Sequence, residues 1–204
     1  GKFDRVLYRG KLEEGQTLQV ADREVTIALP EDGGIAQVQS QVDLLELAQE
    51  HGDVPLPPYM KRDATPEDVE RYQTAFASQV GSVAAPTASL NLTTALLERI
   101  TAKGVQIAHL TLHVGLGTFL PIRVDNLEGH KMHSEYFEIP SETIQAIQGA
   151  KRVITVGTTV CRTLEYAADQ IEAHTGNGAI TGEADIFIYP GYDFKLVDGL
   201  LTNY

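Results

Sequence analysis

"RVITVGTTVCRTLEYAADQIEAHTG", Arg152–Gly176, is the stretch on which the fold turns. Its first six residues are largely β-branched and end on Gly157, and the rest alternates helix-forming and apolar residues. It therefore reads as a strand, "RVITVG", delivered through a glycine into a helix. The same alternation extends to both sides. Upstream, "VQIAHLTLHV" (105–114) reads as a strand and "SETIQAIQGAK" (141–151) as a helix capped by Ser141; downstream, "ADIFIYP" (184–190) reads as a strand. "LTTALLERITAKG" gives a helix closed by Lys103-Gly104, and Thr65-Pro66-Glu67-Asp68 opens another with Val69, Tyr72, Gln73 and Phe76 on one face. Strands alternating with helices predict a parallel sheet with crossovers. Residues 1–43 follow a different rule: "RVLYRG", "QTLQVA", "EVTIAL" and "IAQVQS" are short strands separated by turn residues, as in an antiparallel β-barrel or small sandwich. A short helix (43–51) and the proline-rich "GDVPLPPYM" follow. The expected class is α/β: a parallel-sheet α/β domain over 55–204 with a smaller antiparallel β-barrel domain over 1–54.

Composition narrows the function. The 204 residues carry a net charge of −12, with 43% hydrophobic and 22% charged residues. No apolar run approaches the roughly 18 residues of a membrane span, and no secretory leader opens the chain. One cysteine, Cys161, excludes an internal disulfide and fits a reducing cytoplasm. The acidic balance argues against the broad basic footprint usual for nucleic-acid binding.

The chemistry-bearing residues gather at three expected strand exits. "TLHVGLGTFLP" (111–121) runs through His113, Gly115, Gly117 and Thr118. It is not a dinucleotide loop: the third glycine of that fingerprint is replaced by Leu120, followed by Pro121. No Walker loop occurs. Gly157 leads into Thr158, Thr159 and Arg162, where a helix N-terminus with a threonine cap and a guanidinium fork suits a carboxylate or phosphate. The third exit carries Pro190-Gly191-Tyr192. "HKMHSEYFEI" places His133 and Glu135 on one face of a strand, with two open readings: a surface histidine pair, or acid–base and substrate-binding work. The spacing of His130, His133 and Glu135 is a poor match to zinc ligation, so no metal is expected. His109 reads as near-core, His51 and His174 as solvent-exposed, and Cys161 as a buried small hydrophobe.

Taken together, "PLPPYM", "RYQTAFA", "GSVAAPTA", "TLHVGLGTF", "HKMHSEY", "VGTTVCRTLE" and "IFIYPGYDFKLVDGLLTN" closely resemble, in order and spacing, the S-adenosylmethionine:tRNA ribosyltransferase-isomerases of queuosine biosynthesis. The resemblance is dense over 55–204 and extends through "KLEEGQTLQV" into the barrel domain inserted in that family. It implies transfer of the ribosyl part of S-adenosylmethionine to 7-aminomethyl-7-deazaguanine at the tRNA wobble position. The products are epoxyqueuosine, adenine and methionine. It also implies a cytoplasmic monomer with no resident cofactor, S-adenosylmethionine being a co-substrate. The sulfonium acidifies the adjacent C5′ hydrogens, so His113 or the His133/Glu135 pair would serve as base. Thr158, Thr159 and Arg162 would hold the methionine carboxylate or a tRNA phosphate. Gly115, Gly117 and Thr118 would allow close approach of the ligand, and Tyr192 would stack on a base.

Two departures qualify the expectation. The family usually reads "APTAGLHFT" where this chain has "APTASLNLT", so Asn91 stands where a histidine is usual, and asparagine does not titrate at neutral pH. A homologue that binds S-adenosylmethionine with slowed or absent turnover is the alternative; an acidic interaction module is a third reading. The chain also reads as incomplete in the barrel and truncated at its C-terminus.

Overall fold

The structure, a computed structural model, describes residues 3–8, 10–31, 34–57, 60–80, 82, 84–115 and 134–203. The chain divides into two compact units, Gly1–Ala64 and Thr65–Tyr204.

The first unit is an antiparallel sheet of β1 (Phe3–Leu7), β2 (Thr17–Val20), β3 (Arg23–Glu31) and β4 (Ile35–Ser40), in the order β1-β4-β3-β2. Alternation sets its register: Ile27 faces Val38 and Val25 faces Ser40, and the inward side chains Val25, Ile27, Ala36 and Val38 pack with Leu47. Leu47 lies on α1 (Leu44–His51), whose first turn is capped by Asp43 accepting from the Leu45 N–H at 2.7 Å. Among the described residues these four strands form an open sheet and do not close a barrel.

The second unit mixes helices with two small sheets. Its helices are α2 (Asp68–Arg71), α3 (Thr94–Thr101), α4 (Ser141–Gly149), α5 (Thr158–Tyr166) and α6 (Ala168–Ala173). Strands β5 (Thr111–His113), β6 (Glu135–Ile139) and β8 (Ile180–Ala184) pair antiparallel, while β7 (Ile154–Val156) pairs parallel with β9 (Gly199–Leu201). On the three-stranded sheet Phe137 and Ile139 turn inward against Ile144 and Ile147 of α4 and Leu164 of α5. Gly182 sits opposite Phe137, where an added Cβ would come within 3.0 Å of the ring.

Several expectations are corrected. Parallel pairing among the described residues is confined to β7 and β9, and the larger sheet is antiparallel. The strand expected over 184–190 lies instead at Ile180–Ala184, where it pairs with β6 from Ile139 back to Glu135. The helix expected after Thr65 lasts four residues: Tyr72 leaves helical geometry, and the Gln73 side chain takes the Thr74 N–H at 2.9 Å. Of 105–114, three residues form a strand, and the His109 carbonyl accepts from the Thr143 hydroxyl at 2.5 Å. Pro140, rather than Ser141, occupies the cap of α4.

Candidate active site

Gly157 joins β7 to α5 with φ of +98°, a left-handed conformation that a side chain would strain. It occupies the helix cap itself, so neither Thr158 nor Thr159 caps α5, contrary to the expectation; Thr158 is exposed and Thr159 half-buried at the first turn. The Gly157 N–H donates to the Leu201 carbonyl at 2.8 Å, which brings the end of β9 alongside.

A third strand of chain crosses here. The 3-10 turn Thr87–Ser89 approaches Gly157 through Ala88, and the Asn203 side-chain amide donates to the Thr87 carbonyl at 2.8 Å. Upstream in the same segment, the Ser82 hydroxyl accepts from the Val114 N–H at 3.3 Å, next to His113 and Gly115. Ser82 and residues 84–89 therefore lie between the exit of β5 and the exits of β7 and β9. That arrangement puts "APTASLN" beside the proposed anion site, a juxtaposition for which sequence spacing offered no signal. Asn91 is exposed beyond the turn, its carbonyl accepting from the Thr93 N–H at 3.1 Å.

His113 and Glu135 do not face one another. His113 pairs in register with Tyr136, and their rings lie 5.5 Å apart on the outer face of the sheet. Glu135, one residue earlier, points to the core face. There it meets Arg162 of α5 at 2.5 Å, with both side chains about nine-tenths buried. The Nε and Nη1 groups of Arg162 find no hydrogen-bond partner among the described residues. A buried guanidinium with open donors can accept a further anionic or carbonyl group without new desolvation.

One turn further along α5 stands Glu165, which the sequence reading missed. It is buried, and the backbone N–H groups of Lys195, Leu196 and Val197 donate to it at 2.8, 3.0 and 2.8 Å. The Tyr192 hydroxyl donates to it at 3.3 Å. Burial first, then the neighbouring Glu165 charge, pushes the Tyr192 phenol above its ordinary range. Tyr192 thus belongs to the C-terminal end of α5, about 10 Å along the helix from Thr158 by its rise per residue. The signal that could have found Glu165 is its place on the apolar stripe of Cys161, Leu164 and Ala168. Burial raises the Cys161 thiol above its usual value, in keeping with an inert core thiol.

Gly117, Thr118, His130 and His133 lie outside the described residues. Among those described, no cluster of three His, Cys, Asp or Glu could hold a metal ion, and no helix is long and apolar enough to cross a membrane.

A family model described as "Queuosine biosynthesis protein" matches residues 5–204. A protein of Pelodictyon phaeoclathratiforme is 54% identical over 98% of this chain and 61% of its own length. One of Chlorobaculum parvum is 53% identical over 100% of this chain and 62% of its own. A more distant relative in Geotalea uraniireducens is 44% identical over 100% and 65%. All three are named S-adenosylmethionine:tRNA ribosyltransferase-isomerase. The chain spans about three-fifths of the length of the first two relatives. The family match over residues 5–204 and the identities near 50% over nearly the whole chain agree: this chain belongs to the queuosine biosynthesis protein family.

Proposed function

We propose that this chain carries the catalytic region of a cytoplasmic S-adenosylmethionine:tRNA ribosyltransferase-isomerase. It would move the ribosyl group of S-adenosylmethionine onto 7-aminomethyl-7-deazaguanine at the tRNA wobble position, giving epoxyqueuosine and releasing adenine and methionine. The observation that carries this reading is the 54% identity, over nearly the whole chain, to a relative bearing that name. In the same reading the N-terminal sheet is the family's inserted barrel domain and the second unit its α/β domain.

The roles follow from this reading. His113, half-buried on the outer face of β5, is the base that takes a C5′ proton. Proton loss forms an ylide and adenine departs with the electron pair of its glycosidic bond. The substrate's own amine is then the nucleophile, so the chain need supply none. Glu135 serves Arg162: its charge holds the guanidinium in place with Nε and Nη1 open for the methionine carboxylate or a tRNA phosphate. Thr158 and Thr159 contribute hydroxyls and the N–H groups of the α5 first turn to the same anion. Gly115 leaves room for the ligand beside His113, and Gly117 and Thr118, outside the described residues, keep the same expected part. Tyr192 is a stacking surface for a base. The alternative of binding without turnover rests on Asn91 alone, and the names of the relatives give it no support.

The test uses the full-length protein with S-adenosylmethionine and an anticodon stem-loop bearing the aminomethyl-deazaguanine. Adenine release dependent on the modified RNA is expected, falling by about 100-fold or more in H113A if His113 is the base. S-adenosylmethionine binding with no adenine release would overturn the enzymatic reading, and recovery of release in N91H would trace the defect to Asn91.

A further inference from the structure

We propose that Glu165 is a positioning residue that holds Tyr192 and Phe194 as an aromatic platform for one nucleobase of the substrate. The inference rests on the tRNA-modifying reading above and adds to it the element that grips a base.

Glu165 uses both carboxylate oxygens on a single segment. Oε1 accepts from the Leu196 and Val197 N–H groups, and Oε2 from the Lys195 N–H and the Tyr192 hydroxyl. Three consecutive amides converging on one buried anion fix the backbone that follows the turn. A second tether, Lys195 Nζ to Asp169 of α6 at 2.8 Å, holds the same segment from outside. The turn itself is closed by the Tyr192 N–H donating to the Tyr189 carbonyl at 3.0 Å, with Gly191 at φ of +96°.

This fixed segment presents rings to solvent. The Tyr192 and Phe194 rings meet edge to face at 5.2 Å, and Phe194 is 53% exposed. Tyr189 is 57% exposed and neighbours Phe187 at 6.4 Å. Exposed aromatics on a mobile loop would collapse onto the surface; here a buried carboxylate keeps the backbone from doing so. The surrounding charge selects the occupant. Asp193, between Tyr192 and Phe194 in the chain, and Asp185 are both exposed, so a phosphate backbone is repelled. A nucleobase offers a neutral π-face and needs no cation, which is the chemistry this surface accepts.

The probe is a short single-stranded oligoribonucleotide carrying one 2-aminopurine, whose fluorescence falls when the base stacks. It is titrated into full-length protein and into E165Q, Y192F and F194A, with thermal unfolding recorded for each. Adenine release with the modified stem-loop is followed in parallel. E165Q and F194A should each weaken quenching by about fivefold or more and raise KM for the RNA at nearly unchanged kcat. A merely structural role for Glu165 would lower the melting temperature and kcat while leaving KM where it was. Unchanged quenching in folded E165Q, or none with the wild-type protein, overturns the proposal. If E165Q does not fold, Y192F decides by the same criterion, since it removes just the hydroxyl that Glu165 holds. Quenching without adenine release would leave the platform standing and sink the enzymatic reading instead.

Discussion

In the N-terminal unit every described residue with less than a tenth of its surface exposed is apolar: Val25, Ile27, Ile35, Ala36, Val38 and Leu47. The C-terminal unit buries Glu135, Arg162 and Glu165 among Phe137, Ile144 and Leu164. Both units are stabilised by apolar burial, but the second accepts a desolvation cost that a scaffold has no need of. Charges retained in a core against that cost are a mark of sites where chemistry or recognition is arranged. The difference supports placing the proposed site in the second unit, without reference to any motif.

The contrast is sharpest at the ion pairs. Removing one partner of the buried pair, as in R162M, deprives Glu135 of its arginine and should cost about 3–5 kcal/mol in urea unfolding. The double variant E135Q/R162M should recover much of that loss. In the N-terminal unit Arg5 and Glu31 approach as closely, at 2.6 Å, yet the arginine is 61% exposed. R5M should leave the unfolding midpoint within error, because water already screens that pair. Equal losses at the two sites would break the comparison.

Packing tolerance gives a smaller effect. G182A drives a methyl into the Phe137 ring of the second core and should cost about 1–3 kcal/mol, measured by the same unfolding. No loss would mean that this core yields more readily than its burial implies.

The smallest effect is a pH dependence. The folded Tyr192 phenol titrates above its unfolded value near 10, so its contribution is intact below that pH and is lost as pH rises towards the raised folded value. Wild-type melting temperature should fall more steeply above pH 10 than that of Y192F. Parallel curves would show that neither burial nor Glu165 raises the phenol.

The sequence made the local elements readable where pattern and cap agreed, as in β4, α1 with Asp43, and the passage from β7 through Gly157 into α5. It failed where a side chain competed with the backbone. Gln73 ends α2 early, and the Thr143 hydroxyl donates to the His109 carbonyl just ahead of β5. Strand direction was also hidden, because alternation of strands and helices does not say which strands pair. At the site, Gly157 and Arg162 stood out by residue type. Glu165 did not: its partners are backbone amides some 30 residues away, and amides carry no sequence signature. The opposite facing of His113 and Glu135 likewise needed the register of β5 on β6.

Cys161 lies on the buried face of α5, between the turn at Gly157 and the carboxylate of Glu165. As the one thiol in the sequence, it makes the second unit report on its own fluctuations. A thiol reagent reaches it when α5 lifts from the sheet, so the labelling rate measures the free energy of that opening. A ligand that clasps the first turn of α5 would slow the labelling, and occupancy could then be followed by chemistry at a residue the ligand never touches.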